Sequence, residues 1–203
     1  MLEAAAQLII ERETVDISLA DIAARAGLNA ALVKYYFGSK NGLLMALLKR
    51  DAGVALLQMT ELLSMNVSPA QKMRLHLHGI MTTYRRSPYL NRLLGTMITE
   101  GDADTVSAVH EVFVRPVLDC QHRILAEGAA AGSFRSVDPM LFYMGAIGAC
   151  DQFMMCERMY RLSTGQAPEP DFQDRYMRHV EDLVMASLRP DNATSNNGAS
   201  SGA

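Results

Sequence analysis

Glycine and proline divide this chain into segments of about one helix length, and this spacing is the feature that most constrains its fold. No segment alternates apolar and polar residues over six or more positions, as a half-buried strand would. The apolar residues instead recur at helical spacing. In the first segment Leu2, Ala5, Ala6, Ile9 and Ile10 form one stripe. The sequence therefore predicts an all-α fold of about nine helices.

The helix boundaries are indicated by cap residues and by proline at first helical positions. Ser18 and Asp21 have the spacing of a capping box, and Ser87-Pro88 predicts the start of another helix. The predicted helices cover about residues 2–12, 18–26, 29–36, 40–63, 69–86, 88–99, 104–130, 138–162 and 171–188. Pro116 is expected to kink or divide the helix at 104–130, because proline cannot continue the hydrogen-bond ladder.

The composition excludes several classes of protein. Every stretch without charged residues is too short or too polar for a membrane helix, which needs about 20 residues. The stretch at 139–150 has 12 residues. Residues 1–4 lack a basic stretch followed by an apolar one, and three cysteines do not form a disulfide framework. We therefore expect a cytoplasmic chain with no membrane contact.

Sites for a metal or for catalysis are not predicted. His76 and His78 lie two residues apart, hence on different faces of a helix, which is poor geometry for sharing a metal. The chain contains no nucleophile motif, phosphate-binding loop or dinucleotide fingerprint. We expect no metal, no cofactor and no enzymatic activity.

Charge is distributed unevenly along the chain. The net charge is −3, yet no Asp or Glu occurs between Asp21 and Asp51. The basic residues of this segment are Arg25, Lys34, Lys40, Lys49 and Arg50. A local positive field attracts phosphates whatever the net charge is, although a solvated basic face would give the same pattern.

Residues 18–37 have the pattern of a helix-turn-helix, with Gly27 in the turn. A small three-helix core then presents the second short helix to a major groove. Its predicted exposed residues are Asn29, Ala30, Ala31, Lys34 and Tyr35, and its predicted inward residues are Leu28, Leu32, Val33 and Phe37. Asn29 and Lys34 could meet base edges or phosphates, and the small alanines could touch thymine methyl groups.

Two stretches carry a specific resemblance. Residues 22–29 (IAARAGLN) and 32–40 (LVKYYFGSK) closely resemble the DNA-binding signature of TetR-family transcriptional regulators. The match covers about residues 1–50, and the helix count beyond it is similar to the family's plan. The resemblance implies a DNA-binding domain at residues 1–45, a ligand-binding and dimerisation domain at 46–190, and a tail at 191–203 whose composition predicts disorder.

The resemblance also implies roles for individual residues of the first domain. Ser18, Arg25 and Lys40 match positions that contact the phosphate backbone, and Tyr35 and Tyr36 match the family's backbone-contacting aromatic residues. For Tyr36 and Phe37, packing in the core is the alternative.

Two features depart from the family's pattern. Glu13 stands where a glycine usually ends the first helix, so we expect that turn to be built differently. The sequence begins at this helix without the basic arm that many relatives carry ahead of it, so we expect either that some phosphate contacts are missing or that the sequence is truncated.

The remaining helices supply candidate ligand and dimer residues. Flexible or aromatic side chains that could line an apolar pocket are Met59, Met81, Tyr84, Met97, Phe113, Cys120, Phe142, Cys150 and Phe153. The apolar stripes of the last two helices predict a four-helix dimer interface that contains Leu141, Met144, Ala149, Phe172, Tyr176, Val180 and Leu183. Packing within one chain is the alternative for both sets.

Together these features predict a ligand-responsive, homodimeric DNA-binding regulator. We expect a repressor that a small apolar or amphipathic molecule releases from a palindromic operator. One alternative is an all-α ligand-binding or enzymatic bundle that does not bind DNA. Another is a protein–protein adaptor with an exposed apolar groove.

Overall fold

The computed structural model describes residues 1–190, except for the side chains of residues 153–158. Over this part the chain forms ten α-helices and one π-helical turn and contains no strand, which confirms the predicted all-α fold. The predicted tail at 191–203 lies outside the described residues. The helices are α1 (Leu2–Arg12), α2 (Leu19–Ala26), α3 (Ala30–Phe37), α4 (Lys40–Ser64), α5 (Pro69–Arg86), α6 (Leu90–Thr99), α7 (Ala103–Val109), α8 (Arg115–Ala130), α9 (Pro139–Thr164) and α10 (Phe172–Ser187).

Local capping chemistry sets the ends of the first three helices. The Ser18 hydroxyl accepts from the Asp21 amide at 3.0 Å, and the Ser18 amide donates to the Asp21 carboxylate at 3.1 Å, so the predicted capping box is present. α2 ends at Gly27, whose φ of 66° is the left-handed conformation that glycine adopts without strain. Asn29 then caps α3 by accepting from the Ala31 amide at 2.8 Å.

The turn after α1 is not built differently, contrary to what was expected from Glu13 standing in place of a glycine. Glu13 adopts φ 51° and ψ 30°, so it takes the left-handed conformation in spite of its side chain. Among the described residues it is the one non-glycine position with positive φ. The turn therefore keeps the geometry that glycine would give it and stores some backbone strain.

Helix α4 connects the first three helices to the rest of the molecule. It contacts α1 and α3 on one side and α5, α6 and α8 on the other. Leu43 and Leu47 are fully buried near its start, and Leu48 and Ala52 continue the same buried row. One apolar cluster therefore runs along α4. The helix is also unbroken at residue 45, where the predicted DNA-binding domain ends.

The segment around Pro116 is divided as predicted. α7 ends at Val109, a π-helical turn spans His110–Val114, and α8 begins at Arg115 with Pro116 in its first turn. Proline lacks an amide hydrogen and its ring clashes with the carbonyl four residues earlier. The wider π turn relieves this conflict without separating the two helices.

The start of α6 differs from the prediction. The helix begins at Leu90, because Ser87 ends α5 and the Ser87-Pro88-Tyr89 segment makes a turn. The Ser87 amide donates to the Thr83 carbonyl at 2.9 Å, and the Leu90 amide donates to the Ser87 carbonyl at 2.9 Å. The backbone of Ser87 thus bridges two helices.

No helix in the described part of the chain is both long and apolar enough to cross a membrane.

Candidate functional site

Helix α3 lies at the surface and is held to the molecule by few contacts. Val33 is its one buried residue, and Phe37, one turn later on the same face, is half-buried. The predicted inward placement is wrong for Leu28 and Leu32, which are each 38% exposed. Adjacent side chains of a helix point in different directions around its axis, so Leu32 lies at the rim of the small core that contains Val33.

The exposed face of α3 carries two adjacent tyrosines. Tyr35 is 82% exposed and Tyr36 is 64% exposed, with their rings edge to face at a centroid distance of 5.5 Å. Tyr36 is therefore not a core residue, the alternative left open by the sequence. Within residues 1–190, neither hydroxyl has a hydrogen-bond partner, so both can donate to an incoming acceptor.

The beginning of α3 presents small groups and one amide. Ala30 and Ala31 are exposed, which leaves room for close approach to another surface. The side-chain oxygen of Asn29 is occupied by its cap bond to the Ala31 amide. The amide nitrogen of Asn29 is then the group left to meet a ligand. Free amides at a helix start also attract anions.

Most cations near α3 are already paired within the chain. Arg25 donates to Glu11, with Nη1 and Oε1 2.8 Å apart, and Lys40 Nζ lies 2.8 Å from Asp16 Oδ1. The hydrogen bond from Arg25 lowers the pKa of Glu11, and the hydrogen bond from Lys40 lowers the pKa of Asp16. Lys34 is exposed and has no ion-pair partner among the described residues.

A third pair ties α1 to α2. Arg12 Nη2 lies 3.0 Å from Asp21 Oδ1. The pKa of Asp21 falls well below its ordinary value, first because of the hydrogen bond from Arg12 and then because of the bonds from Ser18. The acid-free stretch of sequence is therefore surrounded by carboxylates from earlier in the chain, which an analysis by sequence position does not reveal.

Gly42 allows α3 and α4 to approach closely, a role that was not predicted from the sequence. A Cβ atom there would lie 2.1 Å from the Phe37 carbonyl oxygen, so any side chain would displace the end of α3. Ser39 caps α4 by accepting from the Gly42 amide at 3.1 Å. A glycine in the first turn after a serine cap is the signal that could have identified this close approach of α3 and α4.

The predicted ligand-pocket residues lie mostly in the packed interior. Those that are buried are Met81, Tyr84, Met97, Cys120, Phe142 and Cys150. Met59 and Phe113 are half-buried, and Phe153 lies outside the described side chains. This set does not surround one described cavity, and its role in ligand binding stays a prediction.

Some of these side chains make polar contacts inside the bundle. Tyr84 hydrogen-bonds to Asp151, and burial raises the pKa of both groups. Asn91 also bonds to Asp151, whose Oδ1 atom has no partner. Cys120 Sγ lies 3.8 Å from Nδ1 of His76, another buried polar side chain.

The described part of the bundle surface has at least two grooves. The α4–α5 groove has a volume of about 410 Å³, and among the predicted pocket residues whose side chains the structure describes, Met59 alone lines it. The α9–α10 groove has a volume of about 490 Å³ and is lined by Phe142 together with Leu141, Ala149 and Leu183 from the predicted dimer set. The exposed apolar side chains of the α9–α10 groove thus lie where an interface is predicted.

The predicted dimer residues divide into three groups by exposure. Leu141, Met144 and Leu183 are exposed, whereas Val180 is buried within its own chain. Tyr176 is half-buried and donates to the Ala149 carbonyl at 2.7 Å. Phe172 is half-buried and packs on Tyr160 with ring centroids 4.7 Å apart.

Two family models match the chain. The model for bacterial regulatory proteins of the tetR family matches residues 1–47, and the tetracyclin repressor-like C-terminal domain model matches residues 66–193. The HTH-type transcriptional regulator BetI of Brucella canis is 27% identical over 148 residues, which cover 64% of this chain and 73% of that protein. The protein of the same description from Brucella abortus matches equally well.

Solved structures share the fold over nearly the whole chain. FadR from Bacillus subtilis in complex with stearoyl-CoA has a TM-score of 0.73 at 17% identity, covering 93% of this chain and 97% of that one. A TetR/AcrR-family regulator from Thermobifida fusca has a TM-score of 0.64 at 22% identity, covering 93% and 96%. The chain belongs to the TetR family of bacterial transcriptional regulators.

Proposed function

We propose that this chain is a homodimeric transcriptional repressor that binds a palindromic operator and releases it when a small molecule binds. Residues 1–45 act as the DNA-binding domain and residues 46–190 bind the effector and the second protomer. The observation that carries the proposal is the exposed face of α3, where Tyr35, Tyr36 and unpaired Lys34 project from a helix anchored by Val33. A helix held in this way fits a major groove.

The contacts with DNA divide into two kinds. Tyr35, Tyr36 and Lys40 donate to phosphates and position the domain, as Ser18 and Arg25 do from α2. The start of α3, with Asn29, Ala30 and Ala31, faces the base edges together with Lys34. Because Arg25 and Lys40 are paired with Glu11 and Asp16, phosphates must replace those carboxylates when DNA binds.

The second protomer docks on α9 and α10. Leu141, Met144 and Leu183 are exposed there, and Gly145 and Gly148 lie on the same surface of α9. Glycine in a helix interior costs about 1 kcal/mol relative to alanine. No described atom lies within 4 Å of where either Cβ would be, so packing within this chain does not require these glycines. A partner helix that approaches closely does.

Release from DNA proceeds through α4. This helix contacts α1 and α3 in the DNA-binding domain and α5, α6 and α8 in the bundle. Arg50 of α4 lies 3.4 Å from Glu3 of α1 and 3.2 Å from the Tyr89 hydroxyl. A ligand that shifts α4 therefore changes the spacing of the two α3 helices, and the dimer no longer fits successive major grooves.

Selection of bound fragments from random double-stranded DNA tests the proposal. The enriched sequence should be a palindrome, bound by a dimer, with an affinity that falls as salt rises. Lys34→Ala and Tyr35→Phe should each weaken binding about three- to tenfold, while Arg123→Ala, at an exposed cation of α8, should not. Failure to enrich any duplex even at low salt would rule the proposal out.

A further inference from the structure

The α4–α5 groove combines apolar residues from both helices with polar side chains along its length and at its ends. Ala55, Met59 and Leu62 of α4 face Leu75 and Gly79 of α5 across it. The two helices are antiparallel neighbours joined by a short turn, so the groove is elongated along both axes. A long, narrow, mainly apolar molecule fits such a space better than a compact polar one.

Two polar side chains in the wall each have an atom without a hydrogen-bond partner. His76 is 2% exposed, and its Nε2 atom has no partner in the described part of the molecule. The Thr82 hydroxyl, further along α5, is equally unpartnered. A buried polar group without a partner costs free energy, so each of these atoms favours a molecule that supplies one.

The unpartnered Nε2 atom of His76 is a donor in the tautomer in which Cys120 donates to Nδ1. Burial raises the pKa of Cys120 to about 11, so its thiol keeps its proton at neutral pH and can donate to Nδ1 of His76 at 3.8 Å. The ring proton of the neutral imidazole then resides on Nε2. Both atoms are covered from solvent, so His76 and Thr82 can donate to a bound molecule once their side chains turn toward the groove.

A cation lies at one end of the groove. Arg86 donates to the Asp51 carbonyl at 3.2 Å and has no carboxylate partner among the described residues, so most of its N–H groups are available. Glu61 stands at the opposite end, near the turn between α4 and α5, and is exposed. This polarity orients an anionic ligand with its charge toward Arg86 and its apolar body toward Leu62 and Leu75.

On the basis of the proposed function, we infer that the α4–α5 groove binds the effector. The effector is an elongated apolar carboxylic acid with a neutral carbonyl oxygen near its far end. The carboxylate binds Arg86 and Thr82, and the carbonyl accepts from His76. Six residues of helix separate His76 from Thr82 and ten separate it from Arg86, about 9 and 15 Å at 1.5 Å per residue, and these two distances bracket the spacing of the two oxygen groups.

The position of Arg86 also gives such a ligand an effect on DNA binding. Arg86 donates to the Asp51 carbonyl, and the Asp51 carboxylate accepts from Arg50 at 2.7 Å. Arg50 in turn reaches Glu3 of α1 at 3.4 Å. A carboxylate that draws Arg86 away from the Asp51 carbonyl therefore acts one residue from Arg50, the α4 side chain that contacts α1.

Calorimetric titration with three matched probes tests the inference. Monomethyl dodecanedioate has a carboxylate at one end and an ester carbonyl at the other, and it should bind. Dimethyl dodecanedioate lacks the carboxylate and should bind at least tenfold more weakly, and dodecanoate lacks the carbonyl and should bind about threefold more weakly. Arg86→Met should reduce the affinity for the monoester to that for the diester.

A glycine in the groove provides a variant that blocks the site without removing a contact. No described atom lies within 4 Å of where a Cβ at Gly79 would be, so Gly79→Leu fills open space in the groove and favours the helix. It should remove monoester binding while thermal unfolding reports a folded protein. Gly95→Leu, at an exposed glycine of α6 outside the groove, should bind the monoester normally.

DNA binding, measured separately, distinguishes the two proposals. A protein that binds its selected duplex, but whose monoester binding is absent or survives Gly79→Leu, overturns the inference about the groove alone. Equal affinity for the monoester and the diester also overturns it. A protein that binds the monoester as described but enriches no duplex supports the groove and overturns the proposed function.

Discussion

The surface around α3 and the α4–α5 groove differ in whether their polar side chains have partners within the chain. Near α3 the charges are exposed and paired, as in Arg25 with Glu11 and Lys40 with Asp16. In the groove, the buried Nε2 of His76 and the hydroxyl of Thr82 have no partner. Exposed ion pairs contribute little to stability, whereas an unpartnered buried donor is costly. In the proposed function DNA therefore binds by exchange of partners, and in the proposed groove a ligand binds by supplying a partner that is missing.

The largest effect is expected at His76. Burial lowers the pKa of its imidazole to about 4 from an ordinary value of 6.5. Between these pH values the unfolded chain takes up a proton that the folded protein does not, so the free energy of unfolding falls as the pH falls. At about 1.4 kcal/mol per unit, the loss between pH 6.5 and pH 4 is about 3 kcal/mol.

His76→Leu should remove that part of the pH dependence, as measured by urea unfolding across the same range. The comparison is between the two stability profiles, because carboxylates also titrate there. His122→Leu, at an exposed histidine of α8, should leave the profile unchanged. A His76→Leu profile parallel to that of the wild type would show that the imidazole is solvated in the folded protein.

The next largest effect is a difference in stability between alanine substitutions at two glycines of α4. Gly42→Ala places a Cβ 2.1 Å from the Phe37 carbonyl oxygen, and overpacking of this kind costs about 2 kcal/mol. Gly53→Ala meets nothing within 4 Å and should stabilise α4 by up to about 1 kcal/mol. Thermal unfolding of the two variants measures this opposite response. Two variants of equal stability would mean that α3 and α4 do not approach closely at Gly42.

A smaller effect is expected from releasing a paired cation. Asp16→Asn removes the carboxylate 2.8 Å from Lys40 Nζ and leaves Lys40 free for a phosphate. Affinity for the selected duplex should rise about threefold at low salt, and the gain should shrink as salt screens it. Asp182→Asn makes the same charge change at an exposed position of α10 and should leave affinity unchanged. A loss of affinity in Asp16→Asn would show that the pair positions Lys40 for DNA.

The sequence predicted those features of the fold that depend on nearby residues. The cap at Ser18, the turn at Gly27 and the division near Pro116 each follow from side chains within about one turn of the event. The start of α6 was placed two residues early, because Ser87-Pro88 is compatible with a helix start and with a turn. Tertiary packing around Ser87 decides between them.

The functional surfaces were less predictable, because their partners lie far apart in sequence. Glu11 and Asp16 reach Arg25 and Lys40 across 14 and 24 positions, so a count of charges along residues 22–50 cannot find them. Helical periodicity identified apolar faces such as that of Val180 on α10. It did not identify which helix each face meets, and the α4–α5 groove therefore went unpredicted apart from Met59.

The smallest expected effect returns to the surface around α3, at the end of α1. Glu13 holds φ 51°, a conformation that costs a residue with a side chain about 1 kcal/mol or more and costs glycine little. Glycine also loses more entropy on folding, which offsets part of the gain. Glu13→Gly should therefore stabilise the protein by about 0.5 kcal/mol in thermal unfolding. Glu100→Gly, at a residue with φ −114° after α6, has no such strain to relieve and should destabilise it. If both substitutions lowered stability equally, the left-handed turn at Glu13 would be incorrect.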